Sequence, residues 1–200
     1  MNIYTLNSIS YSLLLITLFL GIIKNTTANT KWGLIIGIVV LSNIDCINGL
    51  SLNEILYSLL GTPSLFTDLL SFSLSIHYLG YNTWCLNRKS KHYLLITSFL
   101  FYCSYLNYMP INIFYLHHLI SLYICLLLSL FVFFIDKYLG YIYLLAITAG
   151  LVFLPNSYSL FTLIFDPTLG LLLLLSPLSY RSPDDIIDDR KWFSRKNISV

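Results

Sequence analysis

Charged side chains are the scarcest class in this chain: Asp, Glu, Lys and Arg make up 10% of its 200 residues, against 57% hydrophobic ones. So little charge leaves too few polar groups to coat a water-soluble globule of this length. Its eleven Lys and Arg residues are spread through short loops, which reads as an orientation signal rather than a nucleic-acid footprint, so no nucleic-acid partner is expected. Cys46, Cys85, Cys103 and Cys125 have neither C-x-x-C nor metal-ligand spacing and read as small apolar residues, with a Cys46–Cys103 disulfide as the one pairing considered. A nucleophile elbow, a Walker loop, an H-E-x-x-H helix and a Gly-rich nucleotide fingerprint are all lacking. These absences leave no catalytic constellation and no metal site.

What the chain does have is apolar length. With a mean hydropathy of +0.77 it calls for lipid as its solvent, and all eleven basic residues fall on one face if it is cut into seven spanning helices. The fold expected is an all-α polytopic membrane helix bundle over residues 1–180, of seven spans, or six if the second is re-entrant. Its N-terminus is out, its C-terminus is in, and its location is a bacterial cytoplasmic (inner) membrane. Trp32, Arg88, Lys89, Lys91, Trp192 and Phe193 are the expected interface anchors.

Local signals set the element ends. Residues 3–23 are an uncharged run of 21. The second run, from Trp32 to Ile44, is too short to cross unless its helix continues past Asp45 toward Leu50. Gly33 and Gly37 form a G-x-x-x-G that would admit a neighbouring helix. Ser51-Leu52-Asn53-Glu54 has the form of a capping box, and the apolar stripe of 52–60 suits a short interfacial helix ended by Gly61. The third span is expected from Pro63 to Leu79. The 43 residues from Tyr93 to Ile135 carry no formal charge, enough for two crossings around a turn at Asn107–Asn112. Tyr138 to Leu154 and the stretch ending at Tyr180 complete the seven.

Four polar residues stand inside or near these runs. Asp68, His117, His118 and Asp166 are the candidate lining of an outward-facing polar cavity, because an ionised carboxylate in hydrocarbon costs about 2.5–3.5 kcal/mol and should face protein or water. Such a cavity would bind a cation or relay protons. The competing structural reading makes Asp166, directly before Pro167, the N-cap at a helix break, and pairs Asp68 with Ser and Thr neighbours. His77 and His92 could in principle face one haem iron, but no cofactor is assigned.

Residues 181–200 form a cytoplasmic amphipathic tail whose charge flips from Asp184, Asp185, Asp188 and Asp189 to Arg190, Lys191, Arg195 and Lys196. It is expected to lie on the bilayer or to dock a membrane or cytoplasmic protein partner. Three function classes follow. A non-catalytic accessory or assembly component comes first, a small proton- or cation-coupled transporter using the carboxylates and the His pair second, and an intramembrane lipid-modifying enzyme third.

Overall fold

The computed structural model describes residues 3–23, 26–47, 49–81, 86–108, 116–153 and 160–175. Within them the chain is all-helical apart from one small hairpin. Its helices are α1 (Ile3–Ile22), α2 (Ala28–Asn43), α3 (Leu52–Leu60), α4 (Leu65–Leu79), α5 (Arg88–Tyr105), α6 (His118–Ile135), α7 (Lys137–Phe153) and α8 (Pro167–Leu175). A 3-10 turn, Leu160–Leu163, precedes α8. Strands β1 (Asp45–Ile47) and β2 (Leu50–Ser51) pair antiparallel between α2 and α3, with Gly49 at φ 76° in their turn.

Helix length overturns the seven-span architecture, and with it the inner-membrane location. Among the described residues no helix is long and apolar enough to cross a membrane. A hydrocarbon core of roughly 30 Å needs about 20 apolar residues. Helices α2, α4 and α3 have 16, 15 and nine residues. Asn7, Ser8, Ser10 and Ser12 break the apolar run of α1 without breaking its helix, and α5 opens on Arg88, Lys89, Lys91 and His92. The apolar α6 has 18 residues, about 27 Å of helix, and begins at His118.

Two further expectations change. Helix α2 neither continues toward Leu50 nor re-enters: it stops at Asn43, and the chain turns into the hairpin. The seventh run is not continuous, because Pro167 lacks the N–H that would extend a helix across it, so the chain breaks at Asp166 and α8 starts afresh. The capping box forms as expected. Ser51 Oγ accepts from the Glu54 N–H, and the Ser51 N–H donates to Glu54 Oε2 at 2.7 Å. Gly61 ends α3 at φ 79°, ψ −156°, a region closed to residues with a Cβ.

Helices α1, α4, α7, α6, α5 and α8 each touch the next, and α8 returns to α1, closing a ring. Helices α2 and α3 pack on the outside of α1. An aromatic chain crosses the middle: Phe66 against Tyr143 at 4.4 Å, Tyr143 against Phe165 at 6.3 Å, and Phe165 stacked on Phe101 at 3.8 Å. Each such pair contributes about 0.5–1.5 kcal/mol beyond its buried area.

Candidate functional site

Asp68 and Asp166 come together where two helices begin. The N-cap of α4 is Ser64, which places Asp68 in that helix's first turn, and Asp166 caps α8. Both carboxyls are half-buried. Free amides at a helix N-terminus favour negative charge, which is why acids collect there.

Asp166 is fully used. Its Oδ1 accepts from the Leu169 N–H at 2.9 Å and the Thr67 hydroxyl at 2.8 Å. Its Oδ2 accepts from the Ser64 N–H at 2.6 Å and from the Thr168 hydroxyl. A carboxylate offers about four acceptor positions, and four donors fill them. Burial pushes its titration up, opposed by those same bonds from Thr168, Ser64, Thr67 and Leu169. This is the N-cap arrangement, extended to a second helix.

Asp68 is less occupied. Ser10 Oγ on α1 donates to its Oδ2 at 2.8 Å. Burial pushes the carboxyl up to about 6; the Ser10 hydrogen bond opposes this, and the charge of Asp166 adds to it. Tyr11, fully buried on α1, donates its hydroxyl to the Gly61 carbonyl at 2.6 Å. Its phenol is driven well above the usual range by burial first, and then by Asp166, Tyr57 and Asp68.

The histidines do not join this cluster. His117 is exposed and caps α6, its Nδ1 accepting from the Leu119 N–H at 3.4 Å. His118 opens α6, and its side chain lies outside the described residues. His92 holds its Nδ1 at 2.7 Å from the Arg88 carbonyl oxygen, and His77 sets its ring edge-on to Tyr78. Among the described residues no group of three or more His, Cys, Asp or Glu could hold a metal ion.

Of the expected anchors, Trp32, Arg88 and Lys89 are exposed and Lys91 is half-buried, whereas Trp192 and Phe193 lie with the rest of 181–200 outside the described residues. A Cβ at Gly33 or Gly37 would meet nothing within 4 Å, so among the described residues their G-x-x-x-G draws in no helix. Cys103 is a free thiol, and the Cys46 side chain lies outside the described residues.

Spacing alone did not single out Ser10, Tyr11, Ser64, Thr67 and Thr168. The readable hint was hydroxyl residues beside each acid, in Ser64-Leu65-Phe66-Thr67-Asp68 and in Asp166-Pro167-Thr168. The cluster can hold two helix ends together and store a proton on Asp68. It offers no activated nucleophile. No family model matches the chain, and neither a curated protein nor a solved structure does.

Proposed function

We propose that the chain is a non-catalytic accessory or assembly component, a helical unit that packs against a partner protein instead of converting a substrate. The observation that carries this reading is the filled coordination of Asp166. The most heavily bonded carboxylate of the candidate site is engaged as a structural clasp, and the imidazole of His117 stands at a different helix end.

A second feature supports it. Along α6, Leu119, Tyr123, Leu126, Leu127, Leu130 and Phe134 form an exposed apolar stripe at helical spacing, with Leu127 at 70% and Phe134 at 83% exposure. Contiguous apolar surface of this kind marks an interaction face. The charged tail 181–200 adds a second docking element.

A photo-crosslinking residue placed at Leu127 or Phe134 in the full chain, in its own cells, tests the proposal. One protein adduct at a fixed stoichiometry is expected, lost with Leu130→Asp and weakened by deletion of residues 181–200. Adducts to no protein, or a pattern unchanged by Leu130→Asp, overturn it. The carrier reading needs the two acids to line an open polar cavity, and the Asp166 carboxylate is occupied by four donors instead. The lipid-modifying enzyme reading has one observation in its favour, the Asp68 carboxyl that burial raises to about 6, where it could exchange a proton. Lipid extracts that differ between parent and Asp68→Asn cells would raise it above the assembly reading.

A further inference from the structure

Formal charge is divided between the two ends of the helix ring. Lys31 Nζ reaches the Tyr78 carbonyl at the close of α4, and Ser90 Oγ donates to Asp136 Oδ2, which sets the start of α5 beside the joint of α6 and α7. Phe165 stacks on Phe101, and Asp166 next to it binds Ser64, so α4 and α8 both begin toward the opposite end of α5. Lys31, Arg88, Lys89, Lys91 and Lys137 therefore gather at one end, with Asp136 as the acid among the described residues there. Asp45, Glu54, Asp68 and Asp166 hold the other end, where no Lys or Arg stands among the described residues.

The basic end is open to solvent and short of acids. Arg88, Lys89 and Lys137 are exposed, and Lys91 is half-buried. The Asp136 carboxylate already accepts from Ser90 and from the N–H groups of Tyr138 and Leu139. Like charges crowded within a Debye length of about 10 Å repel one another, so this end gains from an acidic occupant.

The chain itself carries one. The stretch 184–189 holds Asp184, Asp185, Asp188 and Asp189. Asp184 with Asp188, and Asp185 with Asp189, stand four apart and would repel on a helix, so these acids gain from cations outside their own stretch. Reach permits the contact. Helix α8 lies along α5 and starts level with Phe101, so it heads back toward Arg88. The rise of α5 from Arg88 to Phe101 is about 20 Å, of which the described residues of α8 cover about 12 Å. From Leu175 to Asp184 the chain extends up to about 30 Å, well beyond what remains.

We propose that the acidic stretch 184–189 folds back in cis onto the basic end formed by Arg88, Lys89, Lys91 and Lys137. A surface ion pair is weak alone, but the tether supplies an effective concentration on the order of millimolar, so several weak pairs suffice. The same tether favours this chain's own stretch over that of a second copy in dilute solution. The inference stands apart from the assembly reading, since it needs no partner protein and the basic end shares no residue with the α6 stripe.

The test treats the purified full chain with a carbodiimide, which joins a carboxylate to an adjacent amine as an amide with loss of water, and maps the joined peptides by mass spectrometry. Amides from Asp184, Asp185, Asp188 or Asp189 to Lys89, Lys91 or Lys137 are expected within one chain, and a mixture of isotope-labelled and unlabelled protein should give no hybrid pairs. Their yield should fall about threefold or more between about 20 and about 500 mM NaCl, as screening weakens exposed pairs. Arg88→Glu should lower it by a similar factor, and Arg88→Lys should keep it. Arg88 is exposed in the first turn of α5, where an acid suits the helix dipole, so the reversal leaves the fold intact. Four results overturn the proposal: hybrid pairs, which assign the contact to a second copy; amides only to Lys191 or Lys196 of the tail itself; no amides to Lys89, Lys91 or Lys137, which leaves the basic end to a separate anionic partner; or yields unchanged by salt and by Arg88→Glu.

Discussion

The backbone N–H of Ser64 donates to a carboxylate oxygen of Asp166 at 2.6 Å, although the two residues stand 102 positions apart. One carboxylate thereby serves the beginnings of α4 and α8 together. The far end of α4 is complemented as well, because Lys31 Nζ on α2 donates to the Tyr78 carbonyl at 2.6 Å. Acids at one end and a base at the other match the helix dipole, each such match contributing about 0.3–1 kcal/mol, and up to about 2 when partly buried. Asp136 repeats the device: it accepts from the N–H groups of Tyr138 and Leu139 at the start of α7 and from Ser90 Oγ at the start of α5.

Asp166→Ala removes the acceptor for four donors. A lost N-cap costs about 1 kcal/mol and a lost hydrogen bond to a charged group about 1.5–3, without simple additivity, so a loss of about 3 kcal/mol is expected. Asp166→Asn keeps an acceptor oxygen and should lose roughly half as much. Chemical denaturation followed by circular dichroism measures both. An Asp166→Ala midpoint equal to that of the parent contradicts the clasp.

Asp68 gives stability a definite slope against pH. Its folded carboxyl titrates near 6, above the ordinary value of 3.8, so between these values the folded state holds a proton that the unfolded chain has released. Stability therefore falls as pH rises through that window and levels off above it. Asp166, also raised, tilts the curve the same way. Asp68→Asn cannot ionise. It should match the parent near pH 4 and exceed it above pH 7, leaving the slope of Asp166 and, at the acid end, the opposite slope of Glu54, whose carboxyl the Ser51 hydrogen bonds hold below its usual value. A parent curve that climbs from pH 4 to 6 contradicts the assignment.

Helix positions were legible wherever local chemistry marked an end. The uncharged run 3–23 became α1, Ser51 and Glu54 opened α3 and Gly61 closed it, and the joint at Asp136 and Lys137 separated α6 from α7. What hydropathy could not resolve was helix length, since a run of apolar residues does not mark where a helix stops. The run ending at Tyr180 looked continuous by composition, yet Asp166 and Pro167 divide it and α8 starts afresh at Pro167. The cluster was half legible. Asp-Pro announced a cap, but the partners of the two acids lie 58 and 99 positions away, at Ser10 for Asp68 and Thr67 for Asp166, beyond the reach of local spacing.

Asn53 fastens α2 and α3 to α1. It is 2% exposed, and its amide nitrogen lies 3.0 Å from Ser12 Oγ, 3.1 Å from Asn43 Oδ1, 3.2 Å from Ser8 Oγ and 3.3 Å from Ser42 Oγ. Asn53→Ala strips the donor from this buried knot and should cost about 2 kcal/mol, the range for leaving buried polar groups unsatisfied. Hydrogen exchange should accelerate in α2 and α3 before α4. Uniform acceleration throughout the ring would show that the knot does not hold these two helices specifically.

Gly140 is required by the Phe133 ring across the joint between α6 and α7. A Cβ at Gly140 would stand 2.6 Å from Cγ of Phe133 and 2.7 Å from Cδ2, too close for the ring to remain in place. Two effects of Gly140→Ala compete. Helix propensity alone favours Ala by about 1 kcal/mol, whereas overpacking costs typically about 1–3. Contact with the ring's root, which cannot swing away like a flexible chain end, makes the clash the larger effect, so a net loss of about 1 kcal/mol is expected. The double variant Gly140→Ala with Phe133→Leu separates the two. Removing the ring relieves the clash and lets the propensity gain show, so Gly140→Ala should stabilise the Phe133→Leu background while destabilising the parent. The same sign in both backgrounds, read from thermal midpoints, contradicts the steric assignment.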